Sequence, residues 1–254
     1  MKKVFSFFIV VSLFIPQLLS AQVTQSDTIN KMNANNQKVG YWEEKMGDQV
    51  MKGYYDNNGR TGNWITYVNG NIILKLDSYK SGFRDGISLT FDRKNRLTAQ
   101  ESYKNGKLNG PAINYSQYNE NPLSEVNYQD GKKNGMSRTY YDNGKIKEEA
   151  EYKDDIRNGI TRWYNTMGKP VAFYEYKNGG FDGIHNEFYE NDSLQCQSFY
   201  VNNVPSGDYK EFYRNGKIKV SGKYVNGVKE GVWTEFDETG KAIRKSTYKK
   251  GSAK

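Results

Sequence analysis

Two glycines separated by three residues, in the stretch YKNGKLNG at 103–110, mark the first place where this chain could do chemistry. A glycine loop that binds phosphate lies between a strand and a helix, so that its backbone amides point at the anion. Here close copies recur, as YQDGKKNG at 128–135, YKNGGFDG at 176–183 and YVNGVKEG at 224–231. Recurrence without a following helix favours a turn that ends a strand over a phosphate site.

A second candidate is the pair formed by the one histidine and the one cysteine of the chain, His185 and Cys196. If the chain turns near residues 190–193, the two side chains lie diagonally on one face of a hairpin, where a histidine could serve a cysteine nucleophile. Both residues, however, occupy positions where other parts of the chain place small or aromatic packing residues. A packing role is therefore the stronger interpretation.

The remaining reactive side chains do not converge in the sequence. A zinc site needs three or four ligands, and one histidine with one cysteine falls short of that number. Carboxylates are scattered, as in Glu148, Glu149 and Glu151, where exposed solubilising charge is the expectation. We therefore predict a protein that is not an enzyme and that holds no metal or cofactor.

Nine glycines, which we call the anchor glycines, recur with spacings of 22, 24, 24, 25, 24, 24, 24 and 24 residues. Such regular spacing is typical of a repeat protein. The anchors are Gly40, Gly62, Gly86, Gly110, Gly135, Gly159, Gly183, Gly207 and Gly231. A tyrosine lies seven residues before each anchor from the second onward, at Tyr55, Tyr79, Tyr103, Tyr128, Tyr152, Tyr176, Tyr200 and Tyr224.

Each repeat has the features of a β-hairpin. An aromatic residue follows every anchor but the first by five positions, and Asn-Gly pairs such as Asn143-Gly144 and Asn215-Gly216 suit a two-residue turn with positive φ angles. Residues 217–224 then alternate in polarity with period two, which predicts a strand with one packed face. No sustained helical pattern occurs after residue 21.

The predicted fold class is all-β, an elongated single antiparallel sheet of about nine tandem hairpins of ~24 residues. Trp64 and Tyr67 follow their anchor by two and five positions, an odd separation that places them on opposite faces of a regular strand. Either a bulge brings both to one face or both faces carry aromatic residues. Hydrophobic residues are only 36% of the chain, so aromatic rings are needed to build a core. A packing role is therefore a stronger interpretation of the tyrosines before the anchors than a ligand-binding role.

The repeating unit resembles a known family. The pattern Y-x-N-G-K-x-x-G, followed by x-W-x-x-Y and N-G-K, as in YVNGVKEGVWTEF at 224–236, resembles the MORN repeat and more closely its bacterial variant, over residues 37–251. Asp155 and Asn203 replace the glycine of the first turn, which places those two turns in question. The resemblance implies stacked hairpins in one sheet. It also implies a scaffold, protein-binding, lipid-binding or antitoxin role, and it supplies no catalytic residues.

The first 21 residues have the order of an export signal. Lys2 and Lys3 precede the apolar run at 4–15, and Ala21 is the small residue expected before a cleavage site. We expect a signal peptide at 1–21, a disordered polar segment at 22–36 and the repeat array at 37–254. The apolar run is short for a spanning helix, so we expect no transmembrane span after cleavage and an exported protein, periplasmic, envelope-associated or secreted. An uncleaved anchor is the alternative.

Positive charge is concentrated at the C-terminal end. Residues 207–254 hold 12 basic and 6 acidic side chains. Five lysines are predicted to form a patch for an anionic partner, whether lipid, glycan or protein, with a solubilising cap of the sheet as the alternative. They are Lys217, Lys219, Lys223, Lys241 and Lys245. Nucleic acid is not an expected partner of an exported chain.

Three functional hypotheses follow. The first is a non-enzymatic exported module of the cell envelope that binds another protein or serves as a scaffold. The second, which depends on the resemblance alone, is an antitoxin or immunity protein that binds a toxin. The third is a protein that binds envelope glycan through its aromatic residues or anionic lipid through its basic end.

Overall fold

The structure is a computed structural model, and it describes residues 29–254. The predicted signal peptide and residues 22–28 lie outside the described residues. The described chain forms one open antiparallel sheet of 21 strands, in which strands that follow one another along the chain pair, except β16 with β17. The predicted all-β hairpin array is thereby confirmed.

The strands are short and regularly spaced. In chain order they are β1 (Lys31–Met32), β2 (Lys38–Met46), β3 (Gln49–Asp56), β4 (Gly59–Val68), β5 (Ile72–Lys80), β6 (Phe83–Phe91), β7 (Leu97–Lys104), β8 (Lys107–Tyr115), β9 (Pro122–Gln129), β10 (Lys132–Tyr140), β11 (Ile146–Lys153), β12 (Ile156–Tyr164), β13 (Pro170–Lys177), β14 (Gly180–Phe188), β15 (Leu194–Val201), β16 (Val204–Pro205), β17 (Gly207–Phe212), β18 (Ile218–Val225), β19 (Val228–Phe236), β20 (Ala242–Lys249) and β21 (Ser252–Ala253). Both β16 and β17 pair with β15, so together they act as one interrupted strand.

The tight turns of the array join the tyrosine-bearing strands to the anchor strands. In the turn between β7 and β8, Asn105 and Gly106 have φ angles of 49° and 79°, as a two-residue hairpin requires. Asp155 and Asn203, which replace the turn glycine, adopt φ angles of 68° and 67°, so their units keep the same turn. Short polar side chains tolerate this left-handed conformation, so the sequence departures leave the fold intact.

The turns that join each anchor strand to the next strand, which we call the wide turns, contain the Asn-Gly pairs. Asn69-Gly70 has the two positive φ angles that were predicted, 51° and 83°, whereas Asn143-Gly144 and Asn215-Gly216 differ from the prediction. At Asn143-Gly144 only the glycine has a positive φ angle, and the loop is closed by a hydrogen bond from the Tyr141 amide to the Lys145 carbonyl. The asparagine is used instead to connect repeats, because its Nδ2 donates to the carbonyl of Thr166 in the next wide turn at 2.7 Å. The wide turns therefore stack on one another along one long side of the sheet, at the ends of the strands.

Tyrosine hydroxyls extend this stacking. Each donates to a backbone carbonyl of the following repeat at 2.8 Å, in the pairs Tyr141 to Tyr164, Tyr189 to Phe212 and Tyr213 to Phe236. Such bonds hold neighbouring repeats in a constant register without a thick core.

The two faces of the sheet carry different aromatic residues. On the face that we call the tryptophan face, the Tyr55 ring lies 5.6 Å from Trp42 and 5.0 Å from Trp64. Tyr67 lies on the opposite face, which we call the phenylalanine face, within 5.7 Å of the Lys52 Nζ. Of the two alternatives left open by the sequence, the second is correct, and both faces carry aromatic residues.

A bulge nevertheless occurs at the anchor glycines. In the ladder between β5 and β6, Asp77 pairs with Ser88 and Tyr79 pairs with Arg84, so Ser78 faces three residues with Gly86 in their middle. All nine anchor glycines have positive φ angles, at Gly40, Gly62, Gly86, Gly110, Gly135, Gly159, Gly183, Gly207 and Gly231. The bulge increases the local twist of the sheet.

The core is a single row along the tryptophan face, built from the residue two after each anchor and its cross-strand partner. Large residues lie beside small ones, as where Trp42 pairs with Gly53 and Tyr209 pairs with Gly222. Among the described residues, the buried hydrophobic set is Trp42, Trp64, Val68, Ala150, Ala172 and Trp233. So few buried residues agree with the low hydrophobic content of the chain.

The tyrosines that lie seven residues before the anchors cover this row. All eight side chains are half-buried on the tryptophan face, at Tyr55, Tyr79, Tyr103, Tyr128, Tyr152, Tyr176, Tyr200 and Tyr224. Their rings shield the core row and keep one edge exposed, so the same residues can both pack and contact a ligand.

At the N-terminal edge of the sheet, the ordered array begins earlier than the sequence predicted. Residues 29–36, within the segment expected to be disordered, include β1, which pairs with β2. Asn30 closes the edge further, since its amide donates to the Tyr41 carbonyl and its Oδ1 accepts from the Glu43 amide at 2.8 Å. These bonds satisfy backbone groups of an otherwise open edge strand, which explains the order there.

Candidate functional site

Most repeats place a cation of their own over the aromatic rings of the tryptophan face. The residue two before the anchor is a lysine or arginine in six units, at Lys38, Arg60, Arg84, Lys133, Arg157 and Lys229. The Arg60 Cζ lies 4.2 Å from the Trp64 ring, and the Lys229 Nζ lies 4.2 Å from the Trp233 ring. These are favourable cation–π distances.

Three units lack this cation and carry Leu108, Phe181 or Pro205 at the same position. Two of these replacements are consecutive, and a depression of about 490 Å³ opens there on the tryptophan face. We call it the His185 pocket. Its lining includes Phe181, His185, Glu187, Cys196, Tyr200 and Tyr209.

His185 is held rigidly in this pocket by aromatic rings. Its imidazole is stacked between Tyr174 at 4.3 Å and Tyr200 at 4.2 Å, and the Phe181 ring contacts it edge-on at 4.4 Å. The side chain is 7% exposed. His185 occupies the position in the core row that tryptophans occupy in other units. It therefore packs against its neighbours, as the sequence predicted.

The chemistry of His185 is that of a neutral imidazole. Burial lowers its pKa to about 4, against a smaller opposing effect of the Glu187 carboxylate. Within residues 29–254 its Nε2 has no hydrogen-bond partner. The pocket thus contains one buried polar atom with unused hydrogen-bonding capacity.

Cys196 lies on the same face, as expected for a diagonal neighbour of His185. In the ladder Cys196 pairs with Glu187 and His185 pairs with Ser198, and both side chains line the His185 pocket. Burial raises the pKa of the Cys196 thiol, with a smaller opposing effect of the Tyr209 hydroxyl. A protonated thiol beside a neutral imidazole is not an activated nucleophile, so this pair favours binding over covalent chemistry.

The opposite face carries an exposed apolar cluster in the same part of the array, which we call the valine patch. Ile184 pairs with Phe199, Val201 with Val204 and Val225 with Val228. Each of these six side chains is between 38% and 42% exposed. Val204 also packs on Gly227 of the next tight turn, which makes the cluster continuous.

The valine patch departs from the pattern of the other repeats. Val201 and Val225 follow the repeat tyrosine, a position occupied by lysine in Lys80, Lys104, Lys153, Lys177 and Lys249. A contiguous exposed apolar cluster that replaces charged residues is typical of a binding surface. The sequence contained this signal in the lysine-to-valine exchange, and our sequence reasoning missed it.

The five lysines predicted as an anionic-partner patch lie on β18, on β20 and in the turns before these strands. The Lys219 Nζ lies 2.6 Å from the Glu211 carboxylate, and the Lys217 Nζ donates to the Thr239 carbonyl in the next wide turn. Lys241 lies in that same turn, whereas Lys223 and Lys245 lie on strands β18 and β20. Two of the five therefore make local contacts within the array.

The carboxylates expected to be exposed are more enclosed than predicted. Glu148 pairs with Arg157, and Glu149 lies 2.8 Å from Arg138. Both carboxylates are half-buried, and Arg138 also approaches Glu125 at 3.7 Å. Among the described residues no group of three or more histidine, cysteine and acidic side chains could hold a metal ion.

The comparisons with known proteins agree with the repeat architecture. Four segments, residues 133–154, 181–202, 205–226 and 229–250, match the family model described as MORN repeat variant. Repeats of this kind are generally protein- or membrane-binding modules, and their all-β fold is typically non-catalytic. No curated protein matches the chain. Residues 29–254 contain no helix long and apolar enough to cross a membrane.

A solved structure offers only a distant likeness. The crystal structure of TarM is similar over 42% of this chain and 20% of its own chain, with 14% sequence identity and a TM-score of 0.28. The present chain therefore spans about a fifth of the length of TarM.

Proposed function

We propose that this protein is an exported, non-enzymatic binding module of the cell envelope that docks a partner protein on its valine patch. The observation that carries the proposal is the continuous cluster of six half-exposed apolar side chains, two of which replace lysines of the other repeats. Covering the remaining exposed surface of each side chain contributes roughly 0.5–1 kcal/mol. Together the six side chains contribute roughly 3–6 kcal/mol, so a partner must add contacts around the patch to offset the freedom lost on association.

The charges around the patch favour a protein over an anionic lipid surface. The Glu175 carboxylate accepts from the Ile184 amide at 3.3 Å, and the Asp182 carboxylate accepts from the Asn202 amide at 3.2 Å. Asp208 follows the anchor glycine on which Phe199 packs. Carboxylates at the rim repel anionic headgroups, whereas an apolar centre with a mixed polar rim is the usual anatomy of a protein interface.

A glycan is a weaker candidate for the same surface. Sugar rings bind on exposed aromatic faces, and Phe199 is the one aromatic residue among the six patch residues.

The patch is tested by restoring the lysines that other repeats carry. A Val201→Lys/Val225→Lys double variant of residues 22–254 is expected to bind the partner at least 30-fold more weakly, because two charges would be desolvated in an apolar interface. A partner is first captured from envelope extract with the unmodified chain, and its dissociation constants for the variants are then measured by surface plasmon resonance.

The matched control changes two other exposed apolar residues to lysine. Ile87 and Ile156 are each 49% exposed and lie outside the patch. The Ile87→Lys/Ile156→Lys variant should bind the partner as the unmodified chain does. Equal binding by the patch variant, or retention of the chain by anionic vesicles in place of any protein, would contradict the proposal. A captured enzyme whose activity the chain blocks would specify an immunity role.

Export has its own test. When the full chain is expressed in its source cells, mass spectrometry is expected to find a mature protein beginning at Gln22, in the fraction outside the cytoplasm. A Val11→Arg variant, which interrupts the apolar run, should remain uncleaved and cytoplasmic. Recovery of the unmodified chain at full length in the cytoplasm would refute export while leaving the valine patch unaffected.

A further inference from the structure

We propose that the His185 pocket binds the ammonium group of a guest molecule, in the place where most repeats insert a lysine or arginine of their own. This inference concerns the tryptophan face and a ligand of different chemistry, so it stands independently of the valine patch on the opposite face. The chemical class is a primary alkylammonium, as found in a protein lysine side chain or in a free amine.

The first support is the missing internal cation. In the flanking units, the Arg157 Cζ lies 5.6 Å from the Tyr176 ring, and the Lys229 Nζ lies 5.2 Å from the Tyr248 ring. In the two units between them Phe181 and Pro205 stand at the position of the cation. No lysine or arginine of the described residues lines the pocket, although Tyr200, Tyr209 and Tyr224 all contribute to it. These rings therefore keep electron-rich faces that no internal charge occupies.

The second support is a set of acceptors suited to an ammonium group. The Glu187 carboxylate lines the pocket and is oriented by the Tyr174 hydroxyl, which donates to its Oε1 at 2.7 Å. His185, a residue of the same lining, is more than nine-tenths buried, and within residues 29–254 its Nε2 has no hydrogen-bond partner. A neutral imidazole can accept a hydrogen bond from an ammonium N–H, and a carboxylate supplies the compensating charge.

The dimensions agree with such a guest. A volume of about 490 Å³ admits a butylammonium chain and remains partly open to solvent, so a lysine on a protein surface can reach it. Aromatic rings around the alkyl stem and an anionic group at its end together recognise the amphipathic shape of this side chain.

The test is calorimetric titration of residues 22–254 with N-acetyl-lysine methylamide. The neutral isostere N-acetyl-norleucine methylamide has the same backbone without the ammonium group and should bind at least tenfold more weakly. Butylammonium, which is the lysine side chain without its backbone, is the third probe. Equal affinity of butylammonium and the lysine derivative would identify a free amine as the natural source, and tighter binding of the derivative would identify a protein lysine.

Variants separate the site from general charge effects. Pro205→Lys places an internal cation where the other repeats have one and should abolish binding of the lysine derivative. The same kind of substitution at Leu108, another unit without a cation, should leave binding unchanged. Glu187→Gln, a change at an exposed side chain that the fold tolerates, should weaken binding at least fivefold. Equal binding of the norleucine probe, or undiminished binding by both Pro205→Lys and Glu187→Gln, would overturn the inference.

Discussion

Replacement of Gly222 by alanine is expected to lower the free energy of unfolding of the C-terminal repeats by about 3 kcal/mol. Gly222 lies beneath the Trp233 ring, and a methyl group added there would overlap the ring atoms Cδ2, Cε2 and Cγ. Trp233 is only 5% exposed and packs between Tyr209 at 5.4 Å and Tyr224 at 5.1 Å. The ring therefore has no free space into which it can move.

A double-mutant cycle isolates this overlap from other effects of the added methyl group. Unfolding in urea is followed by circular dichroism for Gly222→Ala, Trp233→Ala and the double variant. In the Trp233→Ala background the alanine at 222 should cost less than about 1 kcal/mol, because the ring that it overlaps is gone. The same cost in both backgrounds would mean that the Gly222 backbone, and not the Trp233 ring, requires glycine.

Replacement of the anchor Gly183 by alanine is expected to destabilise the seventh repeat by about 3 kcal/mol. The Gly183 φ angle is +124°, which L-residues rarely adopt, and an added methyl group would overlap the Glu175 side chain. Gly231 has a φ angle of +73° and open space around its Cα. Alanine at 231 should cost about 1 kcal/mol, because only the left-handed backbone opposes it.

Hydrogen exchange monitored by mass spectrometry measures both glycine variants repeat by repeat. In Gly183→Ala the amides of β14 and β15 should lose protection, while those of β4 to β6 keep theirs, because contacts in a repeat array are limited to neighbours. Adding Glu175→Ala should recover part of the loss by removing the overlap while leaving the φ penalty. Equal destabilisation at 183 and 231 would contradict the structural ranking of the two anchors.

The two candidate binding surfaces of this protein lie in the same part of the array. The valine patch and the His185 pocket lie on opposite faces of the same hairpins, β14 to β19. In most other repeats an internal cation lies over the tyrosines, and a lysine follows the repeat tyrosine at the tight turn. A regular array thus serves as a frame in which a few exchanged side chains create binding surfaces.

The fold could be predicted from the sequence because each repeat is formed by residues that are close together along the chain. A constant spacing of glycine and tyrosine, with period-two strands, predicts hairpins, and stacking them buries the one face that each hairpin cannot bury alone. Even the turns at Asp155 and Asn203, which lack the usual glycine, follow the array, since neighbouring turns hold their backbones in the left-handed region. The face assignment of Trp64 and Tyr67 required the structure, because it depends on how each strand is paired around the anchor bulge.

The sequence by itself determined the all-β repeat and its register, since both depend on residues close together along the chain. Only the tertiary structure decided which side chains meet. It paired Glu148 and Glu149 with arginines and brought residues from β13 to β18 together around His185. Surfaces of this kind are built from positions one repeat apart, so their composition emerges only when neighbouring strands are placed side by side.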